Sequence, residues 1–242
     1  MTADAISPAR TAPDYGSPAF AAWRAAAPDW EAYTRHRFVE GLGDGSLPRE
    51  AFLHYLVQDF VFLVHFSRAW AMAAVKAETV DEIRACAATV NALIGHEIEL
   101  HIKVCGEAGI SRDALEAAAE RPENMAYTRY VIEAGVQGDF LDILAALAPC
   151  VLGYGEIGLR LKAEATSDAY GEWIATYAGE AFQGACHEVG GLIETALARR
   201  LGPDPAASPR WPRLLDRFAA ATRLEVGFWE MNFAPDAVAP TA

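Results

Sequence analysis

The chain has 242 residues, 52% of them hydrophobic and 22% charged, proportions that suit a folded protein with one large core or two small ones and not a disordered one. Its 20 Lys and Arg stand against 33 Asp and Glu, a formal charge of −13. With no basic cluster to neutralise phosphates, that balance argues against nucleic acid or an anionic membrane as a partner.

The opening residues 1–17 are rich in Ala, Pro, Ser and Thr and read as a loose tail. They hold no basic region followed by an apolar one, so no signal peptide is expected. Runs such as "FVFLV" are far too short to span a bilayer. Cys86, Cys105, Cys150 and Cys186 match neither a metal-site spacing nor a disulfide scaffold. A cytoplasmic protein with free thiols is expected.

From residue 18 nearly everything reads as helix. "FAAWRAAAPDWEAYTRHRFVEGL" is broken near Pro28 and followed by the loop "GDGSLP". A long helix begins after Pro48. Thr79 opens a capping-box pattern with Glu82, and that helix should run to about Gly106. "SRDALEAAA" and "ENMAYTRYVIEAGVQ" follow, the second ended by Gly138. Asp139 can cap the helix that holds "ILAALAPCVLGYGEIG". Two further helices meet at Gly179, "GPDPAASPRWP" is a loop, and "RLLDRFAAATRLEVGFWEMNF" closes the fold. No sustained period-two alternation is present, so no sheet is expected. The expectation is one all-α helical-bundle domain over residues 18–234, with a frayed tail over 235–242.

Three positions carry chemistry beyond what core packing needs. Pro149 removes a backbone hydrogen bond inside a helix, directly before Cys150, and Tyr154 shares the face of Cys150 at i+4. Asp59 lies in "YLVQDFVFLVHF", an apolar run where a carboxylate needs a partner or a task. Phe62 and Phe66 follow it on the same stripe, and an acid beside flat rings suits a planar, hydrogen-bonding heterocycle. In "TRLEVGFWEMNF", Glu225 and Phe228 repeat that acid-then-ring spacing. Tyr127 and Tyr177 are further candidates for a pocket wall. "HEIELH" places Glu97 and His101 at i, i+4, but the di-iron bundle pattern wants a repeated Glu-x-x-His. A solvated helix face is the favoured reading there, and His187 beside Cys186 reads as structural.

Taken in order, "FVEGLGDGSLP", "YLVQDFVFLVHF", "AYTRYV", "ILAALAPCVLGYGEIG", "WIATYAGEAF" and "EVGFWEM" resemble the TenA, or thiaminase II, family over about residues 20–233. The resemblance is to its cysteine-bearing branch. It implies a heme-oxygenase-like helical fold, a homotetramer, and no metal or organic cofactor. It also implies hydrolysis at the methylene arm of thiamin, or of aminopyrimidines formed from it, to give hydroxymethylpyrimidine in thiamin salvage. On that resemblance Cys150 is the nucleophile, Asp59 binds the aminopyrimidine and Glu225 handles protons. Tyr127, Tyr154 and Tyr177 line the pocket and Phe228 forms an aromatic wall. Phe62 stands where some members have tyrosine, which keeps stacking and loses a hydroxyl.

Two other readings compete. One is a metal-dependent oxidase on the same fold with Glu97, His101, Glu180 and His187 as ligands. The other is a non-catalytic pyrimidine carrier or a regulator, the regulator being disfavoured by the net charge. A carrier would need Asp59 but not Cys150.

Overall fold

A computed structural model describes residues 12–234. Among these residues the regular structure is all helical. The helices are α1 (Pro18–Ala26), α2 (Trp30–Thr34), α3 (Arg37–Asp44), α4 (Arg49–Lys76), α5 (Val80–Ala92), α6 (Ile98–Glu107), α7 (Arg112–Glu116), α8 (Pro122–Gln137), α9 (Phe140–Glu164), α10 (Gly171–Tyr177), α11 (Glu180–Leu201) and α12 (Trp211–Glu230). A π-turn over Leu93–Glu97 joins α5 to α6, so the helix expected from Thr79 to about Gly106 is wider in its middle. Single-turn π segments collect at functional sites, because they rotate the side chains that follow them.

The boundaries follow from capping chemistry. The Thr79 hydroxyl accepts from the Glu82 N–H at the start of α5, and the Glu82 carboxylate accepts from the Glu78 N–H. Asp139 caps α9 in a full capping box with Asp142. Gly45 ends α3 with φ of +79°, a left-handed backbone that favours glycine. Residues 1–11 and 235–242 of the expected tails lie outside the described residues. Residues 12–17 do not behave as a loose tail, because they pack on the bundle. Tyr15 and Ser17 are buried, and the Ser17 hydroxyl both caps α1 and donates to Glu194 of α11 at 2.7 Å.

Helix α9 is the centre, packed by α8, α10, α11 and α12. It is long and apolar enough to cross a membrane, which "FVFLV" is not, but 89% of its apolar window is buried inside the protein. That is how a core helix hides such a surface. Its glycines let neighbours approach. A Cβ on Gly153 would stand 2.3 Å from the Tyr33 ring, and one on Gly155 would stand 2.6 Å from both the Cys186 sulfur and the Tyr15 hydroxyl. Tyr33 is fully buried and its hydroxyl donates to the Pro149 carbonyl at 3.2 Å, so the ring has nowhere to go. Gly153→Ala should therefore destabilise the protein by about 1–3 kcal/mol through overpacking. That outweighs the gain of up to about 1 kcal/mol in helix propensity. A fall in the urea unfolding midpoint is the expected result. A midpoint equal to or above wild type would show that Tyr33 can yield.

Candidate active site

Every residue of α9 from Phe140 to Gly155 is buried except Cys150, which keeps open surface. In a stretch otherwise sealed, one partly accessible position is where a cavity wall is to be sought. Pro149 has no N–H to donate within the helix, and Tyr33 of α2 holds its carbonyl from outside. The other three thiols, of Cys86, Cys105 and Cys186, are fully buried.

Opposite α9, α4 and α12 place the expected acid-and-ring stripes against each other. Phe62 lies 5.0 Å from the Tyr127 ring of α8 and 5.2 Å from the Phe228 ring of α12. It also stacks on Phe66 at 5.1 Å. The Tyr127 hydroxyl donates to Glu225 Oε1 at 2.7 Å, and both residues are buried. Phe62, Tyr127, Phe228 and Glu225 thus form one box. Tyr154 packs with Tyr177 at 5.0 Å and Trp229 at 5.2 Å, and Tyr177 lies 4.4 Å from Trp173. Tyr55 connects the two groups of rings. It meets Phe228 edge-on at 6.3 Å and is one turn from Asp59 on α4.

Asp59 is buried with partners that the sequence reading does not contain. Its Oδ2 accepts from the Tyr55 hydroxyl at 3.1 Å and lies 2.7 Å from His101 Nε2. Trp173 Nε1 donates to the Tyr55 oxygen at 3.3 Å. The solvated face expected for "HEIELH" is not what the fold presents at Glu97 and His101. His101 is 2% exposed, and the Tyr177 hydroxyl donates to Glu97 Oε1 at 3.0 Å. The π-turn supplies the reason, since Glu97 closes it and the widened turn brings Glu97 and His101 inward together. By contrast Glu180 and His187 are exposed, His187 resting edge-on against Tyr15 at 5.4 Å. Among the described residues no group of three or more His, Cys, Asp and Glu side chains is placed to hold a metal ion.

Burial dominates the electrostatics. It pushes Glu225 up to about 8, with the Asp59 charge adding and the Tyr127 hydrogen bond opposing. Burial and then the Asp59 charge raise Glu97 to about 7. The Cys150 thiol is driven well above its ordinary value by burial, then by the charges of Glu225, Glu97 and Asp59. His101 is the exception. Burial lowers it, but the Asp59 hydrogen bond and charge outweigh that and hold it raised. A thiol so placed rests as S–H and must lose its proton within the site in order to react.

The TENA/THI-4/PQQC family model matches residues 23–234. The chain is 60% identical to a TenA family transcription regulator from a Silicibacter species whose crystal structure superimposes with a TM-score of 0.90, over 92% of this chain and 99% of that one. It is 37% identical over 210 residues to an uncharacterised protein of Haemophilus influenzae, covering 86% of this chain and 94% of that one. It is 33% identical over 211 residues to the aminopyrimidine aminohydrolase of Halalkalibacterium halodurans, covering 86% of this chain and 92% of that one. One helical bundle matched from α1 to the end of α12, and relatives matched over nearly their full lengths, leave one conclusion: the chain belongs to the TENA/THI-4/PQQC family.

Proposed function

We propose that this protein is an aminopyrimidine aminohydrolase, a thiaminase II, which releases the substituent on the methylene arm of thiamin or of an aminopyrimidine derived from it. The observation that carries the reading is a pair of buried carboxyls, Asp59 bonded to Tyr55 and Glu225 bonded to Tyr127, with Phe62 packed on Tyr127 and Phe228 on Tyr55, in a core where Cys150 keeps some accessible surface. A flat base with an amino group and ring nitrogens needs stacking surfaces and two differently protonated acids. The relative from Halalkalibacterium halodurans that carries this enzyme name supports the reading.

In the reaction, Cys150 gives up its proton and its sulfur bonds to the ring carbon next to the one bearing the arm. A ring nitrogen takes up a proton by way of Glu225, whose raised affinity keeps a proton available near neutral pH. The arm's carbon–nitrogen bond breaks and the leaving group departs with the electron pair. Water adds to the exposed methylene carbon and loses a proton, which replaces the one a departing amine takes up and passes to solvent when a neutral thiazole departs instead. The carbon–sulfur bond then breaks, the ring returns its proton, and hydroxymethylpyrimidine is released with the thiol restored. Asp59 accepts from the amino group, and Tyr154 and Tyr177 line the pocket with Trp173 behind them. No step uses a metal or cofactor.

The protein works in the cytoplasm, in thiamin salvage, as a homotetramer. Exposed Val75, Val80 and Val136 support self-association. They lie near the end of the bundle where Lys76 of α4 donates to the Gly138 carbonyl. Sedimentation should give a mass near four chains, and a monomer at micromolar concentration would remove this part.

The test of function is incubation with thiamin and with its aminopyrimidine breakdown product, followed by chromatography for hydroxymethylpyrimidine. Release from neither would overturn the reading. Asp59→Asn exchanges one acceptor for a donor in a buried contact, which costs about 1–3 kcal/mol. Calorimetry should show hydroxymethylpyrimidine affinity falling roughly ten- to hundredfold. Unchanged affinity would place the ring elsewhere.

A further inference from the structure

His101 stands between two acceptors. Its Nδ1 is 2.8 Å from the Glu97 backbone carbonyl, and its Nε2 is 2.7 Å from Asp59 Oδ2. A carbonyl oxygen only accepts, so Nδ1 carries a hydrogen. A neutral imidazole has no second hydrogen, and its Nε2 would then point a lone pair at the carboxylate. The short contact to Asp59 therefore needs one more proton on the pair. Asp59 Oδ2 also receives the Tyr55 hydroxyl, whose own oxygen already accepts from Trp173, so the Tyr55 hydrogen is free for Asp59. The Tyr55 hydroxyl is one fixed donor to Oδ2, and an ionised carboxylate oxygen accepts it far better than the hydroxyl oxygen of a protonated acid would. The extra proton belongs on the ring.

We propose that His101 is an imidazolium that fixes Asp59 as a carboxylate, saturates Oδ2 together with Tyr55, and leaves Oδ1 as the acceptor for the amino group of the pyrimidine. His101 is thus a positioning residue acting through Asp59, an assignment that rests on reading the cavity as a pyrimidine pocket. It also supplies a positive charge among the buried carboxyls of Asp59 and Glu225 and the half-buried one of Glu97, where unpaired anions would be costly. The direction in which Asp59 shifts His101, toward the charged form, agrees with the geometry. The titratable groups around it are Asp59 and Tyr55 of α4, Glu97 of the π-turn and Tyr177 of α10. Arg49, Glu107, Asp168 and Glu172 line the outer cleft that borders it. A carboxylate held by two fixed donors has one orientation, which is what a site that must place a ring against a sulfur requires.

Two measurements decide this. In ¹⁵N-labelled wild-type protein at neutral pH, long-range proton–nitrogen spectra should show both ring nitrogens of His101 protonated, with assignment by loss of the signals in His101→Gln. A neutral ring with a bare Nε2 would overturn the imidazolium. Calorimetry with hydroxymethylpyrimidine should show His101→Asn, which loses the donor to Asp59, binding roughly ten- to hundredfold more weakly, as loss of a hydrogen bond to a charged group implies. His101→Gln, whose amide can still reach Asp59, should recover part of that loss. The Asp59→Asn/His101→Asn double variant should bind no worse than Asp59→Asn alone. Wild-type affinity in His101→Asn, or losses that multiply in the double variant, would overturn the positioning role. Should wild-type protein neither bind nor cleave an aminopyrimidine, the functional reading fails and the positioning role falls with it. The spectra need no substrate and decide the imidazolium alone.

Discussion

Cys150→Ser should lose several orders of magnitude in turnover while hydroxymethylpyrimidine affinity stays within a few fold of wild type. The thiol is already hard to ionise, because burial opposes a negative sulfur first and the neighbouring Glu225, Glu97 and Asp59 carboxyls add to that wherever they are ionised. A thiolate made only as its proton moves away, with substrate in place, is still a strong nucleophile. A serine hydroxyl is a much weaker acid to begin with, and the same three carboxyls would oppose the alkoxide. Binding should survive, because the stacking and hydrogen bonding come from Phe62, Tyr127, Phe228 and Asp59 and not from sulfur. Steady-state kinetics with thiamin and with the aminopyrimidine, beside calorimetry, make the comparison. Turnover near wild type would remove the covalent mechanism and leave the pyrimidine-carrier reading in front. Cys105→Ala and Cys186→Ala should keep catalysis. Their thiols face core, Cys186 packing at Gly155 and Tyr15, so any loss should appear in stability.

Most helix boundaries were legible because local chemistry writes them: Thr79 and Asp139 as caps, Pro48 before α4, Gly138 and Gly179 between helices. The acid-and-ring stripes of α4 and α12 were legible for a similar reason, since helical period alone puts Asp59 with Phe62 and Glu225 with Phe228. What joins those stripes was not. Tyr127 meets Glu225 across 98 positions, and His101 meets Asp59 across 42, distances over which periodicity says nothing. Tyr55 was within reach, one turn before Asp59 on the same face. His101 is hidden from such a reading for a physical reason. "HEIELH" has the composition of a wet helix face, and only the π-turn, which has no reliable sequence signature, turns it inward. The buried Tyr15 shows the same limit at the N-terminus. A Pro-rich and Ser-rich segment reads as a tail, yet Gly155 and Gly190, far along the chain, leave the space that admits its ring and backbone.

Glu225→Gln should separate activity from stability. The side chain keeps its shape, and its amide oxygen can still accept from Tyr127, but it can neither take up nor release a proton. A general acid–base group is typically worth about 10²–10⁴ in rate, so kcat should fall by that order while product affinity changes less. Stability should move the other way. The native carboxyl, buried and raised to about 8, holds its proton more tightly than the ordinary value of 4.5 allows in the unfolded chain. Between those two values the native state binds more protons than the unfolded state, so this group's contribution to stability declines as pH rises. Above about 8 the folded protein carries a buried charge, and the full penalty, on the order of a few kcal/mol, is present. Glutamine carries no such penalty. Glu225→Gln should therefore match wild type in stability near pH 4, exceed it increasingly up to pH 8, and level off beyond. Denaturant midpoints measured across that range give the comparison, with Glu97→Gln expected to level off about one pH unit earlier. A variant less stable than wild type at pH 8 would mean that Glu225 is held as a carboxylate by a partner that glutamine cannot satisfy, and its part in proton transfer would have to be given up.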